Sequence, residues 1–385
     1  MITYIEKLLN GQPVEWKTLG EVGTFVRGSG LQKKDLKDSG VPAIHYGQIY
    51  TYYGRSTNKT KSFVTEDFAE KSRLASPGDL VIATTSENDD DVCKAVAWLG
   101  EGALVVSSDA CFYAHTLHPK YIAYIFESHI FQDQKRKFIT GTKVRRVNVR
   151  DLARISIPIP PLSVQEEIVR ILDKFTELEA ELEAELEARK QQYEYYRNSL
   201  LSFANDPEGG GKIVFKTLGE VAEIKRGERV TKNQLMAQGK YPVISGGTKP
   251  LGYFDKANRS ADTITVAQYG TAGYVNWQSG DFWANDVCYS ILPHLEIDNR
   301  FLYHVLCCAQ REIYSLVTDA IPAHLPQQRL ANISIPIPPL VEQARIVNIL
   351  DKFDALTNSM TEGLPQEIEL RRKQYEYYRE QLLSF

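Results

Sequence analysis

Three stretches of the sequence contain residue types that could support catalysis or cation binding. Residues 209–212 (GGGK) end like a phosphate-binding loop, but Ile213 follows and the spacing of that motif is absent. Residues 223–225 (EIK) could end a nuclease E-x-K motif, but no acidic partner lies at an interpretable distance. Residues 87–91 (ENDDD) could hold a cation, although they lack the glycine and the distal glutamate of a calcium loop. We therefore expect a linker, a strand with a solvated edge and an exposed turn, and no catalytic centre.

A basic segment is a better candidate for ligand binding. Residues 140–154 (TGTKVRRVNVRDLAR) carry Lys and Arg side chains at close intervals. Guanidinium groups match phosphates and base edges, so Arg145 and Arg146 are candidates for either contact, with a solvated face as the alternative. Residues 318–332 (TDAIPAHLPQQRLAN) occupy the corresponding place later in the chain. The same position therefore carries a basic loop in one half of the chain and a polar loop in the other.

Several glycine-containing turns combine amide, hydroxyl and aromatic groups, which can contact base edges but are also common in ordinary turns. Arg27 and Arg226 each precede a glycine at the end of the first predicted strand of their segment. There the glycine would permit a tight turn and the arginine could reach a phosphate, with a plain turn as the alternative. The candidate nucleic-acid contacts are Arg27, Lys33, Tyr46, Gln48, Ser86, Asn88, Thr142, Lys143, Arg145, Arg146, Arg226, Arg229, Lys232, Ser245, Thr248, Gln268, Tyr269, Thr271, His324 and Gln327.

An internal repeat must position these loops. Residues 155–203 and 333–385 both begin with ISIPIPPL and both close with QYEYYR and LLSF. Self-similarity of this kind indicates one supersecondary unit copied within the chain. The globular segments repeat more faintly, because WKTLGEVGTFVRG at 16–28 matches FKTLGEVAEIKRG at 215–227 before the two sequences diverge. The framework is duplicated and the interiors differ.

The first copy of the repeat has the spacing of a long coiled-coil helix. Two interleaved seven-residue series are almost entirely apolar or aromatic, which is typical of an a/d seam. The series are Ile168, Phe175, Leu182, Arg189, Tyr196 and Phe203, and Leu172, Glu179, Leu186, Tyr193 and Leu200. Ser163 is a plausible N-cap with Glu166 at the capping-box offset, and the helix should extend about 60 Å at 1.5 Å per residue. A helix with one apolar stripe needs a partner, which the second copy supplies.

The second copy should be bent. Its DKF sequence at 351–353 and its QYEYYR sequence at 374–379 show that four residues are inserted between these motifs relative to the first copy. That insertion is about one helical turn, which a coiled coil can absorb. Gly363 and Pro365 lie inside it and should kink or split the helix.

Both globular segments read as α+β domains. In the first, VGTFVRG, GVPAIHYGQIY, GDLVIATTS, KAVAWLG and ALVVSSDACFYAHTL predict strands, and KYIAYIFESHIFQDQKRKFI predicts a helix. In the second, AEIKRG, YPVISGG, DTITVAQYG, TAGYVNW and VCYSILP predict strands, and RFLYHVLCCAQREIYSLV predicts a helix. ANDPEGGGK at 204–212 predicts a flexible linker after the first long helix.

Composition narrows the class of protein. The chain of 385 residues has no run of eighteen apolar residues, and its N-terminus lacks the apolar core of a signal peptide, so the cytoplasm is the expected location. The five cysteines show no metal-ligand spacing, so we expect buried free thiols, no zinc and no disulfide. The two long helical segments hold a surplus of seven negative charges, so the rest of the chain, whose total is −4, is net +3. Mildly basic globular segments are compatible with a nucleic-acid ligand.

Taken together, these motifs resemble the specificity subunit of Type I restriction-modification systems. The resemblance rests on the TLGEV openings of both halves, on GDLVIAT at 78–84, on IPIPPL followed by QEEIVRILDKF or QARIVNILDKF, and on QYEYYR with LLSF. It covers essentially the whole chain, and the duplicated stretch from IPIPPL to DKF is its most specific part.

The resemblance implies an α+β fold with a pseudo-two-fold tandem repeat. Two target-recognition domains, at 1–154 and 205–332, would each read one half of a split, asymmetric DNA sequence. Two spacer regions, at 155–204 and 333–385, would form long antiparallel helices that pair as a coiled coil, the second kinked near Pro365. Divergent domains in a duplicated frame agree with two different half-sites, and helix length would set their separation.

The resemblance also implies partners. Double-stranded DNA would be the ligand, and two modification (methyltransferase) subunits would bind S-adenosylmethionine and methylate adenine. Restriction (translocase/nuclease) subunits would join them and cleave DNA with ATP and Mg. This chain itself would be a non-catalytic subunit that binds no cofactor, no metal and no membrane.

Two alternatives from other classes stay open. A stand-alone DNA-modifying enzyme with duplicated domains would need a catalytic or cofactor motif, and none is found in the sequence. A coiled-coil scaffold would show no sequence-selective DNA binding even with partner subunits present.

Overall fold

The computed structural model describes residues 4–203, 213–358 and 363–385. The chain divides into two compact units, Met1–Glu181 with Ile368–Phe385, and Leu182–Glu367. Each unit therefore combines a globular domain with parts of the long helices. The predicted linker at 204–212, which includes the GGGK stretch, lies outside the described residues.

The first unit is built from short strands and helices that precede its part of the long helix. Its strands are β1 Glu15–Thr18, β2 Gly23–Arg27, β3 Val41–Ile44, β4 Ser56–Thr57, β5 Ser62–Val64, β6 Leu74–Ala75, β7 Leu80–Ala83, β8 Thr85–Ser86, β9 Ala95–Trp98, β10 Leu104–Val106, β11 Ala110–His115, β12 Arg145–Arg146 and β13 Ser156–Ile159. Its helices are α1 Tyr4–Leu9, α2 Leu19–Val22, α3 Tyr46–Thr51, α4 Glu66–Glu70, α5 Pro119–Glu127, α6 His129–Arg136 and α7 Val149–Leu152, followed by α8 Leu162–Leu201, which is shared with the second unit.

Two sheets form the body of the first unit. In the described residues their strand orders are β2-β11-β7-β9-β4 and β5-β3-β10-β6. Helix α5 is apolar on nearly all sides and packs on the first sheet, with Tyr121, Ile122 and Ile125 fully buried. The same hydrophobic core continues into α8 through Ile168 and Leu172. The globular domain and the start of the long helix are thus one packed body.

The second unit repeats this plan with fewer elements. Its strands are β14 Val214–Thr217, β15 Ala222–Arg226, β16 Tyr241–Ile244, β17 Gly252–Phe254, β18 Thr263–Ala267, β19 Val275–Gln278, β20 Trp283–Ala284, β21 Cys288–Pro293 and β22 Ser334–Ile337. Its helices are α9 Leu218–Val221, α10 Asn299–Cys308, α11 Gln310–Ser315, α12 Gln327–Ala331 and α13 Leu340–Asn358, and the first turn of α14 Leu364–Leu383 also belongs to it. The α+β class and the tandem repeat are confirmed.

The duplicated sequence forms the same strand pair in both units. β1 pairs antiparallel with β13, placing Trp16 opposite Pro158, and β14 pairs antiparallel with β22, placing Phe215 opposite Pro336. The two registers are identical. Proline lacks the N–H that an inner strand needs, so ISIPIP fits the edge strand of a two-stranded sheet. These strand pairs form the base of each globular domain.

Three segments differ locally from the predicted elements. In GVPAIHYGQIY only Val41–Ile44 is a strand, because His45 and Gln48 cap a helix, α3, that begins at Tyr46. ALVVSSDACFYAHTL forms two strands, β10 and β11, and not one. The predicted helix at 120–139 is split at Ser128, whose backbone is extended and whose hydroxyl donates to the carbonyl oxygen of Ile125.

Helix α8 runs uninterrupted over 40 residues, as the seven-residue spacing predicts. Ser163 is not its N-cap, because the backbone N–H groups of Val164 and Gln165 already donate to the carbonyl oxygen of Pro161. The side chain of Gln165 stabilises this end instead. It is buried, donates to the carbonyl oxygen of Pro160 and accepts from the backbone N–H of His118.

Gln343 repeats this arrangement at the start of α13. Its amide nitrogen donates to the carbonyl oxygen of Pro338 at 2.8 Å, and its oxygen accepts from the backbone N–H of Asp298 at 2.7 Å. A buried amide with both atoms bonded fixes the helix start against the globular domain, because leaving either atom unpaired would cost about 1–3 kcal/mol. The equivalent glutamines therefore set the helix entry in both units.

The predicted seam faces a second helix within each unit. In the first unit Phe175 stacks on Tyr378 with centroids 5.4 Å apart, and Glu179 pairs with Arg372. Residue numbers rise along α8 while they fall along α14, so the two helices are antiparallel. In the second unit Phe353 of α13 lies against Tyr193 and Tyr196 of α8.

The second spacer helix is interrupted. Helix α13 ends at Asn358 and α14 begins at Leu364, so Pro365 stands in the first turn of a helix, where its missing N–H carries no penalty. The predicted split of this helix near Gly363 and Pro365 is thus confirmed, and residues 359–362 lie outside the described residues.

The aspartate of each DKF motif ties a globular helix to the long helix. Asp173 accepts hydrogen bonds from Lys120 at 2.6 Å and from Tyr124 at 2.7 Å. Asp351 accepts from Arg300 at 2.7 Å and lies 2.7 Å from Nε2 of His304.

Desolvation alone would raise the pKa of Asp351, but the hydrogen bonds from His304 and Arg300 outweigh it, so its pKa is lowered. The carboxylate is therefore held in the charged form that ties α10 to α13. Asp173 and Asp351 thus orient each domain on its helix. Among the described residues, no helix is both long and apolar enough to cross a membrane.

Candidate nucleic-acid interface

A polar cavity of about 750 Å³ lies on the first unit. It is lined by Phe25, Arg27, Thr84, Thr85, Ser108, Asp109, Ala110, Thr140, Arg146, Val147, Asn148, Val149 and Arg150. We call this cavity the first-unit groove. Three guanidinium groups line it against one carboxylate, so the groove is positively charged. A positive concave surface attracts the phosphates of nucleic acid.

The two adjacent arginines of β12 have different environments. β12 pairs with β8, and successive side chains of a strand point to opposite faces. Arg145 pairs with Asp89 at 2.8 Å and donates to the carbonyl oxygen of Gly141 at 2.5 Å. Arg146 lines the groove, and its guanidinium makes no hydrogen bond or ion pair within the described residues. Arg146 is therefore free to bind a ligand, whereas Arg145 is already bound within the fold.

The acidic run at 87–91 is an exposed turn, as expected. Asp89 holds Arg145, and Asn88 exchanges two hydrogen bonds with Asp91. The buried ammonium of Lys135 donates to the carbonyl oxygens of Asp90 and Val92. Over the described ranges, no group of three or more His, Cys, Asp or Glu side chains is placed to hold a metal ion. The turn therefore supports the β12 loop.

Arg27 and Arg226 occupy equivalent positions at the ends of β2 and β15. Each Nε donates to a backbone carbonyl oxygen, that of Ser108 for Arg27 and that of Asp286 for Arg226. The sequence suggested that the glycines after these arginines permit a tight turn. The structure shows a different role for them. A Cβ on Gly28 would lie 2.1 Å from the carbonyl oxygen of Ser107, so glycine is needed for close approach of two backbones. Gly227 has the same contact with Asn285.

This close approach gives a testable prediction about the groove wall. Gly28→Ala should lower the free energy of unfolding by about 1–3 kcal/mol, because backbone atoms must move to admit the methyl group. Gly30→Ala is the matched control, since a Cβ there meets no atom within 4 Å. Thermal unfolding of the purified proteins measures both. Equal melting temperatures for the two variants would contradict the close approach.

Backbone hydrogen bonds show which residues of the two units correspond. In the first unit the N–H of Thr140 donates to the carbonyl oxygen of Arg146, and in the second the N–H of Thr318 donates to that of His324. One residue later, Val147 donates to Thr84 just as Leu325 donates to Gln268. His324 therefore occupies the position of Arg146, and Gln268 and Tyr269 occupy those of Thr84 and Thr85. The predicted exchange of a basic loop for a polar one is present in the structure.

The second unit places an imidazole ring, a phenol ring and an amide group at this position. The ring of His324 stacks on Tyr269 with centroids 5.5 Å apart and an interplanar angle of 23°. Nδ1 of His324 lies 2.9 Å from the hydroxyl of Thr318. The side chain of Gln268 is buried, yet its oxygen has no hydrogen-bond partner in the described residues. A buried amide oxygen without a partner is costly, so this oxygen is available to a hydrogen-bond donor of a ligand.

Some other candidate residues are already bound within the fold. Gln48 accepts from the backbone N–H of His45 and donates to Ser62, so both ends of its amide are used. Gln327 donates to the carbonyl oxygen of Ile224, and Thr271 donates to that of Gly246. Asn88 belongs to the acidic turn described above. These side chains are less available to a ligand than Arg146.

The remaining candidates lie on loops around these positions. Lys33, Thr142, Lys143, Arg229 and Thr248 are exposed, and Tyr46, Ser86 and Ser245 are half-buried. Burial lowers the pKa of His45, the N-cap of α3, and the charge of Lys33 lowers it further. The side chain of Lys232 lies outside the described part of the structure.

Sequence reasoning missed Ser108, Asp109 and Asn148 as groove residues, and it singled out Arg150 only as part of the basic segment. Ser108 and Asp109 form the turn between β10 and β11, which the sequence suggested was one strand. The only signal was the SSD sequence, whose small polar residues favour a turn. Asn148 caps α7 by accepting from the backbone N–H of Arg150, which fixes the start of the helix and the place of Arg150 in its first turn.

The chain is similar to known proteins over most of its length. The profile of the family described as "Type I restriction modification DNA specificity domain" matches residues 13–188 and 211–370. The Escherichia coli Type I restriction enzyme EcoR124I/EcoR124II specificity subunit is 33% identical over 421 residues, covering 100% of this chain and 97% of that protein. A putative type I restriction enzyme specificity subunit of Haemophilus influenzae is 32% identical, covering 100% of this chain and 98% of that protein.

Solved structures share the fold. The S subunit of a Type I restriction-modification system from M. genitalium superposes with a TM-score of 0.61 at 17% identity, covering 98% of this chain and 97% of that one. A chain from a study of complex assembly and conformational transition of the type I R-M system superposes with a TM-score of 0.60 at 16% identity, covering 97% and 98%.

Proposed function

The chain belongs to the family of Type I restriction-modification DNA specificity domains, as a non-catalytic specificity subunit, and from this membership we propose how it reads DNA. Each unit presents its groove-side loops to one half of a split, asymmetric site on double-stranded DNA. The first-unit groove binds one half-site through Arg27, Arg146 and Arg150. The second unit binds the other through the loops around Tyr269 and His324.

One observation carries this proposal. The strand pairs β1–β13 and β14–β22 have the same register, yet they support loops with different side chains at equivalent positions. A frame that holds two different contact surfaces in equivalent places suits a site with two unlike halves. An enzyme with duplicated domains would instead repeat its reactive residues.

Exposed apolar side chains at equivalent positions favour two identical partners. Trp16 is 48% exposed and its counterpart Phe215 is 53% exposed. Tyr377 is 61% exposed and its counterpart Tyr195 is 69% exposed. Large apolar groups repeated on the surface are typical of binding sites for protein partners. We assign these surfaces to two modification subunits, one for each copy of the repeat.

The chemistry belongs to the partner subunits in this proposal. The modification subunits bind S-adenosylmethionine and methylate adenine in each half-site, and the restriction subunits use ATP and Mg to translocate and cleave DNA. This chain contributes recognition and spacing, and the cytoplasm, where chromosomal DNA lies, is its place of action. A scaffold without DNA selectivity is the competing function, and the positive groove disfavours it.

The test is to co-express the chain with a modification subunit and to map methylated adenines in the host DNA. The proposal predicts a single bipartite motif with two different halves and a fixed gap, which is lost when this chain is omitted. A gel shift with a duplex that carries the motif should show binding that a scrambled duplex does not compete away. Methylation by this chain alone would instead indicate an enzyme, and absence of sequence preference would indicate a scaffold.

A further inference from the structure

We propose that positions 146 and 324 are corresponding specificity-determining positions, and that Arg146 recognises a guanine in the first half-site. This inference rests on the proposed function. It goes further by assigning a base to one side chain and by pairing that side chain with its counterpart in the other unit.

Backbone hydrogen bonds show that positions 146 and 324 correspond. The bonds Thr140 to Arg146 and Thr318 to His324 have the same donor, acceptor and spacing, and both are 2.9 Å long. Each loop is then tied to the end of a central strand by a bond at the next residue. The loops at 146 and at 324 therefore share these two backbone hydrogen bonds, although the N–H of Arg146 donates to the carbonyl oxygen of Thr140 and the N–H of His324 donates to the hydroxyl of Thr318.

Arg146 is available to a ligand, whereas its neighbour Arg145 is not. Arg145 is bound by Asp89 and by the carbonyl oxygen of Gly141, so its fork is used within the fold. Arg146 faces the groove without a described partner. A guanidinium fork fits O6 and N7 of guanine with two parallel hydrogen bonds, which is the commonest specific contact of proteins with the major groove. The hydroxyl of Thr85 lies on the strand opposite, where it can contact a neighbouring base or phosphate.

The second unit presents different chemical groups at the equivalent position. His324 is stacked on Tyr269, so it presents a fixed ring edge and not a flexible fork. Beside it, the buried oxygen of Gln268 lacks a partner. An imidazole edge and an amide oxygen cannot make the paired donor contact that guanine O6 and N7 require. The second half-site is therefore recognised at this position by a different set of contacts, which explains how one framework reads two sequences.

The experiment uses the full chain co-expressed with the modification subunit and a plasmid library in which each base of the mapped motif is randomised. Arg146→Ala distinguishes a base contact, whose loss relaxes one base of the motif, from a phosphate contact, whose loss weakens binding to all sequences alike. Arg146→Lys keeps the positive charge but removes the planar guanidinium, so it tests the geometry of the contact. Arg146→Ala should reduce discrimination roughly tenfold to a hundredfold at one base of the first half-site, a guanine in the wild-type motif, and Arg146→Lys should reduce it less at the same base. His324→Ala should relax one base of the second half-site only.

Arg136→Ala is the charge-matched control, because Arg136 lies on α6 outside the groove and is bonded only to Asp133 of its own helix in the described contacts. Its methylation motif should be that of the wild type. An Arg146→Ala variant that binds every sequence more weakly but keeps the wild-type base preference would show that Arg146 holds a phosphate and would overturn the inference. If the wild-type complex itself shows no bipartite motif, the proposed function fails, and the two failures are thus distinguishable.

Discussion

A chain in which residues 216–334 replace residues 17–156 should direct methylation to sites that contain two copies of the second half-site and none of the first. The junctions lie at equivalent positions of the two strand pairs. Lys17 pairs with Ile157 in the first unit, and Lys216 pairs with Ile335 in the second. The transplanted domain should also keep its contacts with the long helix. Asp173 can bind Arg300 and His304 as Asp351 does, since both long helices carry the same DKF motif.

The reciprocal exchange, with residues 17–156 in place of 216–334, is the matched control and should give two copies of the first half-site. Adenine methylation mapping of cells that express each hybrid with the modification subunit measures both outcomes. Circular dichroism and gel filtration establish that the hybrids fold and stay monodisperse. A folded hybrid that still methylates the original asymmetric motif would refute the assignment of one half-site to each unit.

The long helix and the two equivalent domains could be predicted from the sequence, because each follows from a pattern that repeats along the chain. The seven-residue spacing of α8 predicts which face of the helix packs against a neighbour, because apolar residues at this spacing form one stripe. Ile168 and Leu172 are fully buried, whereas Glu181 and Glu187 between the seam positions are exposed. The duplicated motifs likewise predicted two equivalent domains.

The groove could not be predicted in the same way, because segments far apart in the chain build it. Arg27, Asp109 and Arg146 meet only because β2 pairs with β11 and the β12 loop pairs with β8. Arg145 and Arg146 are the same residue type, and only the ion pair with Asp89 and the hydrogen bond to Gly141 distinguish the bound Arg145 from the free Arg146. The role of Gly28 was misjudged for the same reason, since the backbone it approaches belongs to a distant turn.

Removing four residues from α8 should shorten the gap between the two methylated half-sites. Residues 177–188 consist of the unit ELEA three times in succession, so deletion of residues 181–184 leaves two units and keeps Leu186 in place of Leu182 on the seam. The helix loses about 6 Å of length at 1.5 Å per residue. Because base pairs are spaced about 3.4 Å apart, the gap should shrink by about two base pairs while both half-site sequences stay the same.

Adenine methylation mapping measures the gap directly, and a length-preserving variant, Glu177→Gln with Glu181→Gln, controls for the loss of acidic charge. That control should retain the wild-type gap, because the net charge of an exposed helix face changes no distance. If the deletion variant is folded and active but keeps the wild-type gap, then the length of α8 does not set half-site spacing. A change of bases within either half-site would equally contradict the assignment of recognition to the loops and of spacing to the helix, because no residue that lines the first-unit groove lies within the deleted segment.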